Sequence, residues 1–364
     1  MSIAFTPERW EQVRANYAKW WAGESERPML YATARREPDR APSKLPSRGF
    51  VPQYGLDVDA EAIIDAKDYG LACTEFLADA YPAFWLNFGA GVLAAYCGCE
   101  LFSDDTTTWF LPRRETSARD LHMAFDPDNR WFRRTRDVAR AAAARWRGQV
   151  QVGMADLGGA SDVVSSFLTG ERMLLELYDD PDEIKRLMWE AHAFWWHAFQ
   201  EIDKEIRSSN PGYSCWTSIF SEKPYYMLQS DFCYMIGPEM FDTFIKPELI
   251  ASCRRLPNAF YHLDGVGELP HLDSLLSIPE LKGIQWIQGA GKPGPMHWLD
   301  VYRRILDAGK HLQITGGTLP EELAAIEMLA KENRAVGRIY LSCGVNDAIE
   351  RRTLDTFLKR YGAA

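Results

Sequence analysis

The sequence predicts a single (β/α)₈ barrel over residues 1–364, with residues 1–27 as an N-terminal helical extension. Three observations carry this. From about residue 149 onward, short apolar runs alternate with helical stretches across short glycine-bearing loops, the order that parallel β/α architecture requires. The apolar runs are about five residues long and the helical stretches about twelve, as a barrel needs. No G-x-G-x-x-G turn follows the first candidate strand, as it would in a dinucleotide-binding open sheet.

Residues 6–22 read as an amphipathic helix: Thr6 caps it, Pro7 fits the first turn, and Trp10, Val13, Tyr17, Trp20 and Trp21 recur at helical spacing. Residues 28–32 are a strand candidate, 36–56 a loop rich in Pro, Arg, Ser and Gly, and 58–79 a helix. Strands are then expected at 149–153, 215–220, 259–263, 283–287, 311–315 and 338–342. Helices are expected at 171–207, split at Asp180-Pro181, and at 238–255, 271–276, 296–308 and 321–332, with a last one ending at Tyr361.

The chain has 364 residues, 46% hydrophobic and 25% charged, and can bury a large core without disulfides or a structural metal. Its formal net charge of −10 argues against nucleic acid as a partner. The basic clusters at Arg113-Arg114 and between Arg133 and Arg140 fit a solvated helix face. Glu8, Arg9, Glu11 and Arg14 interrupt the N-terminus, so neither a signal peptide nor a membrane span is expected, and the expected location is the cytoplasm. The seven cysteines are an odd number without C-x-x-C spacing, which suggests reduced thiols.

In a β/α barrel, chemistry sits at the C-terminal ends of the strands. Polar residues there are Asp156, Glu222, His262, Asp264, Gln285, Gln288, Thr315 and Cys343. His262 and Asp264 stand two apart on one strand and therefore share a face, and Gly265 and Gly267 let the backbone turn just after. An imidazole, a carboxylate and the Cys343 thiolate would make a zinc set with an open fourth position. The alternative is a hydrogen-bonded His–Asp pair and a buried thiol. Asp231 reads either as a general acid or substrate anchor or as a helix cap. Trp85, Trp109, Trp216 and Trp286 suit either an aromatic pocket or the core. His297 opens a helix near the mouth, and Leu157-Gly158-Gly159 is a weak candidate for an anion cradle.

Taken together these segments resemble the uroporphyrinogen decarboxylase-like superfamily, which includes corrinoid- and zinc-dependent methyltransferases. The resemblance runs from about residue 28 to 361. It rests on Asp156-Leu157-Gly158-Gly159, Thr169-Gly170-Glu171, Asp179-Asp180-Pro181, Ser230-Asp231, Gly237-Pro238-Glu239-Met240-Phe241, Lys246-Pro247, His262-Leu263-Asp264-Gly265 and Ser342-Cys343-Gly344-Val345. Two departures separate this chain from the true decarboxylases. The first strand reads Met29-Leu30-Tyr31-Ala32-Thr33-Ala34-Arg35-Arg36 in place of an R-Q-A-G-R loop, and neutral Asn87 stands where an aspartate faces the pyrroles. The methyltransferase branch binds zinc through H-x-C and a later cysteine. His262 and Cys343 match the outer positions, and Asp264 replaces the middle cysteine.

The resemblance implies zinc held by His262, Asp264 and Cys343, and methyl transfer between a small methylated compound or thiol and a corrinoid. No D-x-H-x-x-G motif is present, so the corrinoid would ride on a separate protein. Asp231, Asp264 and Glu222 are the expected catalytic or substrate-orienting residues. Asp156, Asn87, Trp216, Trp286, Gln285 and His297 are expected to line the substrate. Two other readings stay open: a metal-free decarboxylase or lyase with Asp231 or Asp264 as the acid, and a non-catalytic ligand-binding barrel. A homodimer is expected for this architecture.

Overall fold

The computed structural model describes residues 3–361 and shows a mixed α/β protein with a mostly parallel central sheet. Its strands are β1 (Met29–Arg35), β2 (Thr74–Ala78), β3 (Ala83–Trp85), β4 (Glu100–Ser103), β5 (Thr108–Leu111), β6 (Gln151–Gly153), β7 (Tyr225–Leu228), β8 (Asn258–Asp264), β9 (Leu281–Ile287), β10 (His311–Ile314) and β11 (Ile339–Val345). Seven of them form one sheet in the order β2-β1-β11-β10-β9-β8-β7, with every pair parallel except β1–β2. β3 and β6 pair in parallel, and β4 and β5 form a hairpin. The strands from β7 to β11 alternate with helices, as the glycine-closed periodicity predicts.

The N-terminal helix Pro7–Ala22 forms as its caps demand. Thr6 Oγ1 accepts the Arg9 N–H at 3.4 Å, and Gly23 ends the helix at φ 74°. Its buried face lies across the beginnings of the sheet strands: Trp20 sits 4.3 Å from His311 at the start of β10, and Tyr17 6.4 Å from Tyr340 near the start of β11. This helix therefore covers the end of the sheet opposite the strand C-termini, which leaves the latter free for a site.

Three expectations change. Residues 215–220 are not a strand: they run as irregular chain with a bend at Trp216-Thr217, and one bridge joins the flanking Tyr213 and Ser221. Side chains hold that segment instead, Thr217 Oγ1 lying 2.7 Å from the Tyr225 hydroxyl while Tyr17 and Tyr81 both donate to the Ser218 carbonyl. The strand is β7, a short continuous apolar run of the kind buried on both faces. The expected helix at 58–79 stops at Ala72, and the chain doubles back as β2 to pair with β1. The helix Arg130–Trp146 contains the helix face read between Arg133 and Arg140, whereas the helix Ala160–Leu168 and the hairpin were not anticipated as elements. Arg136 and Arg140 of the first helix pair with Glu205 at 2.7 and 3.0 Å.

All seven cysteines are free. No described helix is long and apolar enough to cross a membrane.

Candidate functional site

The end of β8 supplies the centre of the site. His262 and Asp264 project to one face while Leu263 between them is fully buried on the other. Gly265 (φ 84°) then turns the chain, and a Cβ there would meet the Tyr234 ring at 3.0 Å. In the parallel register Gln285 of β9 lies beside His262, and its Oε1 bonds the His262 Nδ1. That bond puts the proton on Nδ1 and leaves the Nε2 lone pair facing outward. Trp216 meets the imidazole edge to face at 4.8 Å and 88°.

Nε2 points toward two carboxylates. Asp264 Oδ2 is 3.8 Å away, and Asp231, at the start of the short helix Asp231–Met235, completes the set. One ligand atom from each of Asp231, His262 and Asp264 lies within 4.8 Å of the others. Small rotations would bring these atoms to the roughly 2.0–2.2 Å that a zinc ion takes from nitrogen and carboxylate oxygen. The donor set, two carboxylates and a neutral imidazole, therefore fits a divalent ion.

More carboxyls surround this triad. Glu268 is fully buried and its Oε2 accepts the Asp264 N–H at 3.1 Å, while its Oε1 has no partner. Burial pushes its pKa up to about 10; the Asp264 N–H opposes this, and Asp231, Asp162 and Asp264 add to it. Asp156 rises to about 7, chiefly by burial. Asp162 rises through burial and the nearby Asp231 charge. Asp231 is open to solvent at the rim, yet enough protein rings it to raise its carboxyl, against the pull of His262. Burial works against the His262 imidazolium, but the nearby Asp264 and Asp231 carboxyls and Gln285 outweigh it and raise its pKa. Burial holds the Glu268 carboxyl protonated at neutral pH, and a cation bound beside these carboxyls would favour their ionised forms.

The remaining expected residues fall in different places. Asp156 belongs here: its Oδ1 accepts the Gly158 N–H at 2.9 Å. The Gly159 N–H goes to Asp162 at 3.1 Å and the Leu157 N–H to Tyr226 at 2.8 Å, so the glycine loop is filled by the protein's own groups rather than free for an anion. Asn87 braces turns, donating to the Gly49 carbonyl at 3.0 Å and accepting the Gly89 N–H at 3.1 Å. Trp286 lies on the opposite face of β9 from Gln285, fully buried, with Trp298 at 5.2 Å. His297 is exposed at the edge of the Trp298 ring.

Glu222 is exposed and precedes β7, lining a cavity with Pro257, Asn258 and Lys282 at the beginnings of β8 and β9. It was expected after a strand at 215–220, and with that strand absent it falls at the other end of the sheet. Cys343 lies on β11 beside Ala32 of β1, its thiol raised to about 12 by burial with Glu322 and Glu350 contributing. Among the described residues, the metal-capable group that comes together contains Asp231 in place of Cys343. Asp162 and Glu268 were not anticipated. The available signals were Glu268 standing four residues past Asp264 beyond the Gly265 turn, and Asp162 three past Gly159 at a helix start.

For a divalent ion held at this cluster, Gln285→Leu is expected to lower the affinity about 10–100-fold, because the imidazole loses the acceptor that fixes its orientation. Competition with a chromophoric chelator measures this, and an unchanged affinity would show that Trp216 and the backbone orient His262 unaided.

Fold and site together define a mixed α/β protein with a histidine–carboxylate cluster at the C-terminal end of its parallel strands. Among solved structures it is similar to a methyltransferase from Methanosarcina mazei, with a TM-score of 0.57 and 12% sequence identity over 96% of this chain and 99% of that one. At that identity the likeness is one of fold. No protein-family model matches the sequence, and no curated protein matches it as a relative.

Proposed function

We propose that the chain is a zinc-dependent methyltransferase built on a (β/α)₈ barrel, exchanging a methyl group between a small methylated compound or thiol and a corrinoid on a separate protein. The observation that carries this is the convergence of Asp231, His262 and Asp264 at the strand ends of a fold shared along nearly its whole length with a methyltransferase. Barrel closure is supported by the N-terminal helix: its adjacent Trp20 and Trp21 meet Tyr340 on β11 at 5.9 Å and Tyr225 on β7 at 5.8 Å, although three strands separate β7 from β11 along the sheet.

In this reading Asp231, His262 and Asp264 hold the ion. Bound zinc would supply the Lewis acid that keeps an acceptor thiol ionised at neutral pH. Gln285 keeps the Nε2 lone pair aimed at the ion, and Trp216 walls the imidazole.

Metal analysis and a transfer assay test this. Zinc is expected at one equivalent in wild type, with affinity reduced at least about tenfold in Asp231→Asn and unchanged in Cys343→Ser. Zinc-loaded protein is expected to demethylate methylcobalamin in the presence of a small thiol. If transfer is absent with every thiol offered, and with cob(I)alamin and methylated donors, the methyltransferase reading falls. If Cys343→Ser loses zinc while Asp231→Asn keeps it, the ligand assignment falls.

The raised Asp231 carboxyl also favours a second reading, a metal-free lyase with Asp231 as the acid. Loss of CO₂ from a carboxylated substrate in chelator-treated protein would favour it.

A further inference from the structure

A second cavity, of about 410 Å³, opens between the N-terminal helix, the end of β2 and the C-terminal helix Ala348–Arg360. It lies beside the start of β1, where Asp79 bonds Leu30, whereas His262 sits near the end of β8. Its volume is that of a small-ligand site. The charged residues on its walls are Arg9, Arg27, Arg351 and Lys359 against Asp79 and Asp355, in a chain whose net charge is −10.

Pairing these groups leaves cations over. Asp79 is fully buried and saturated: it takes both Arg27 guanidinium nitrogens at 2.6 Å, Asn16 Nδ2 at 2.8 Å and the Leu30 N–H at 3.0 Å. Arg351 is committed to Glu75 at 3.0 Å and to Asp355 at 3.6 Å. Arg9 is different. Its guanidinium donates to Gln12 Oε1 at 3.1 Å and to the Ala78 carbonyl at 2.8 Å, and it lies 5.7 Å from the Phe5 ring centre. All three partners are neutral. They fix the guanidinium in place, use two of its five N–H donors, and leave its charge uncompensated.

The residue that anchors Arg9 is itself strained. Ala78 has φ 49°, a left-handed conformation that a non-glycine residue adopts at a cost of about 1 kcal/mol or more. That conformation leads the chain from β2 into Asp79 while the Ala78 carbonyl holds Arg9. Lys359 adds a second charge with no ion-pair partner among the described residues, and Leu77, Leu354 and Leu358 supply an apolar wall.

We propose that this cavity binds a small organic anion, a carboxylate or phosphate monoester carrying an apolar body. Arg9 is its fork-shaped anchor and Lys359 its second cation. The ligand bridges the two terminal helices and is separate from whatever the His262 cluster binds. A guanidinium already held by neutral groups binds an anion without first giving up a salt bridge.

Calorimetric titration of the full-length protein with phenyl phosphate and with benzoate tests this. One saturable site with a rise in melting temperature is expected for at least one probe. Affinity should fall about tenfold or more in Arg9→Gln and in Lys359→Gln, and stay unchanged in Lys223→Gln, which alters the cavity beside Glu222. Lys359 is exposed and supports no other group, so Lys359→Gln should fold even if Arg9→Gln does not. A phosphate-only or benzoate-only response identifies the head group. Absence of saturable binding of both probes at millimolar concentration, or wild-type affinity in Lys359→Gln and a folded Arg9→Gln, overturns the proposal.

Discussion

Alanine at position 262 is expected to lower zinc affinity by about a hundredfold to a thousandfold and to remove zinc-dependent methyl transfer. Structural zinc sites with four ligands yield about 10–16 kcal/mol of binding free energy, so one ligand accounts for several kcal/mol, or two to three decades. His262 is also the only nitrogen donor of the cluster. Without it, two carboxylates face each other with no intervening base, and Gln285 and Trp216 lose the ring they orient and pack against. Equilibrium dialysis against a zinc buffer measures the loss. Stoichiometric zinc in His262→Ala at unchanged affinity would show that the carboxylates alone hold the ion, and the assignment of Nε2 as a ligand would be wrong. The same variant should leave anion binding between the terminal helices unchanged, because that cavity shares no residue with the cluster.

The parts of this site that local periodicity governs were legible in the sequence. Residues two apart on a strand share a face, so His262 and Asp264 were bound to point together once β8 was recognised, and Gly265 marked where that strand had to end. Gln285 was recognised as a strand-end polar residue, but its partner followed only from the β8–β9 register, which periodicity within one strand does not specify.

The third member of the cluster was not read as a metal ligand: Asp231 was read as a general acid, a substrate anchor or a helix cap. Asp231 belongs to a short helix after β7, and no spacing rule ties that segment to β8. Cys343 had the better chemical claim to zinc, yet β9 and β10 stand between its strand and β8. Glu222 was misplaced because β-branched and aromatic residues at 215–220 imitate a strand. In the folded protein, tyrosine hydroxyls and Thr217 take up the bonding of that segment, and the true strand begins after Pro224. Asp162 and Glu268 were missed for a related reason. A carboxyl normally signals surface, and only the packing of the loop around Asp231 against the glycine loop and the β8 turn buries these two.

Glu268 leads to the second large effect, a pH-dependent one. Its folded pKa of about 10 stands far above its ordinary value of 4.5. Between those two values the folded chain holds a proton that the unfolded chain has released, so stability falls as pH rises through that window. At pH 7 the accumulated cost is on the order of 3 kcal/mol, from about 1.4 kcal/mol per unit over the span above 4.5. Glutamine has nearly the shape of the protonated acid and its carbonyl can still accept the Asp264 N–H, so Glu268→Gln should keep the bond and remove the penalty. We expect zinc-free Glu268→Gln to be about 2–4 kcal/mol more stable than wild type at pH 8, after about 1–3 kcal/mol for its extra N–H going unpaired, and to lose that advantage near pH 4.5, where only the N–H cost remains. Urea unfolding at the two pH values measures it. Zinc should shrink the gain, because a divalent charge beside Asp264 lowers the Glu268 pKa and with it the cost that glutamine removes. A gain equal at both pH values would mean that packing rather than ionisation sets it, and a loss at pH 8 would mean that the Glu268 carboxylate is ionised in the folded protein.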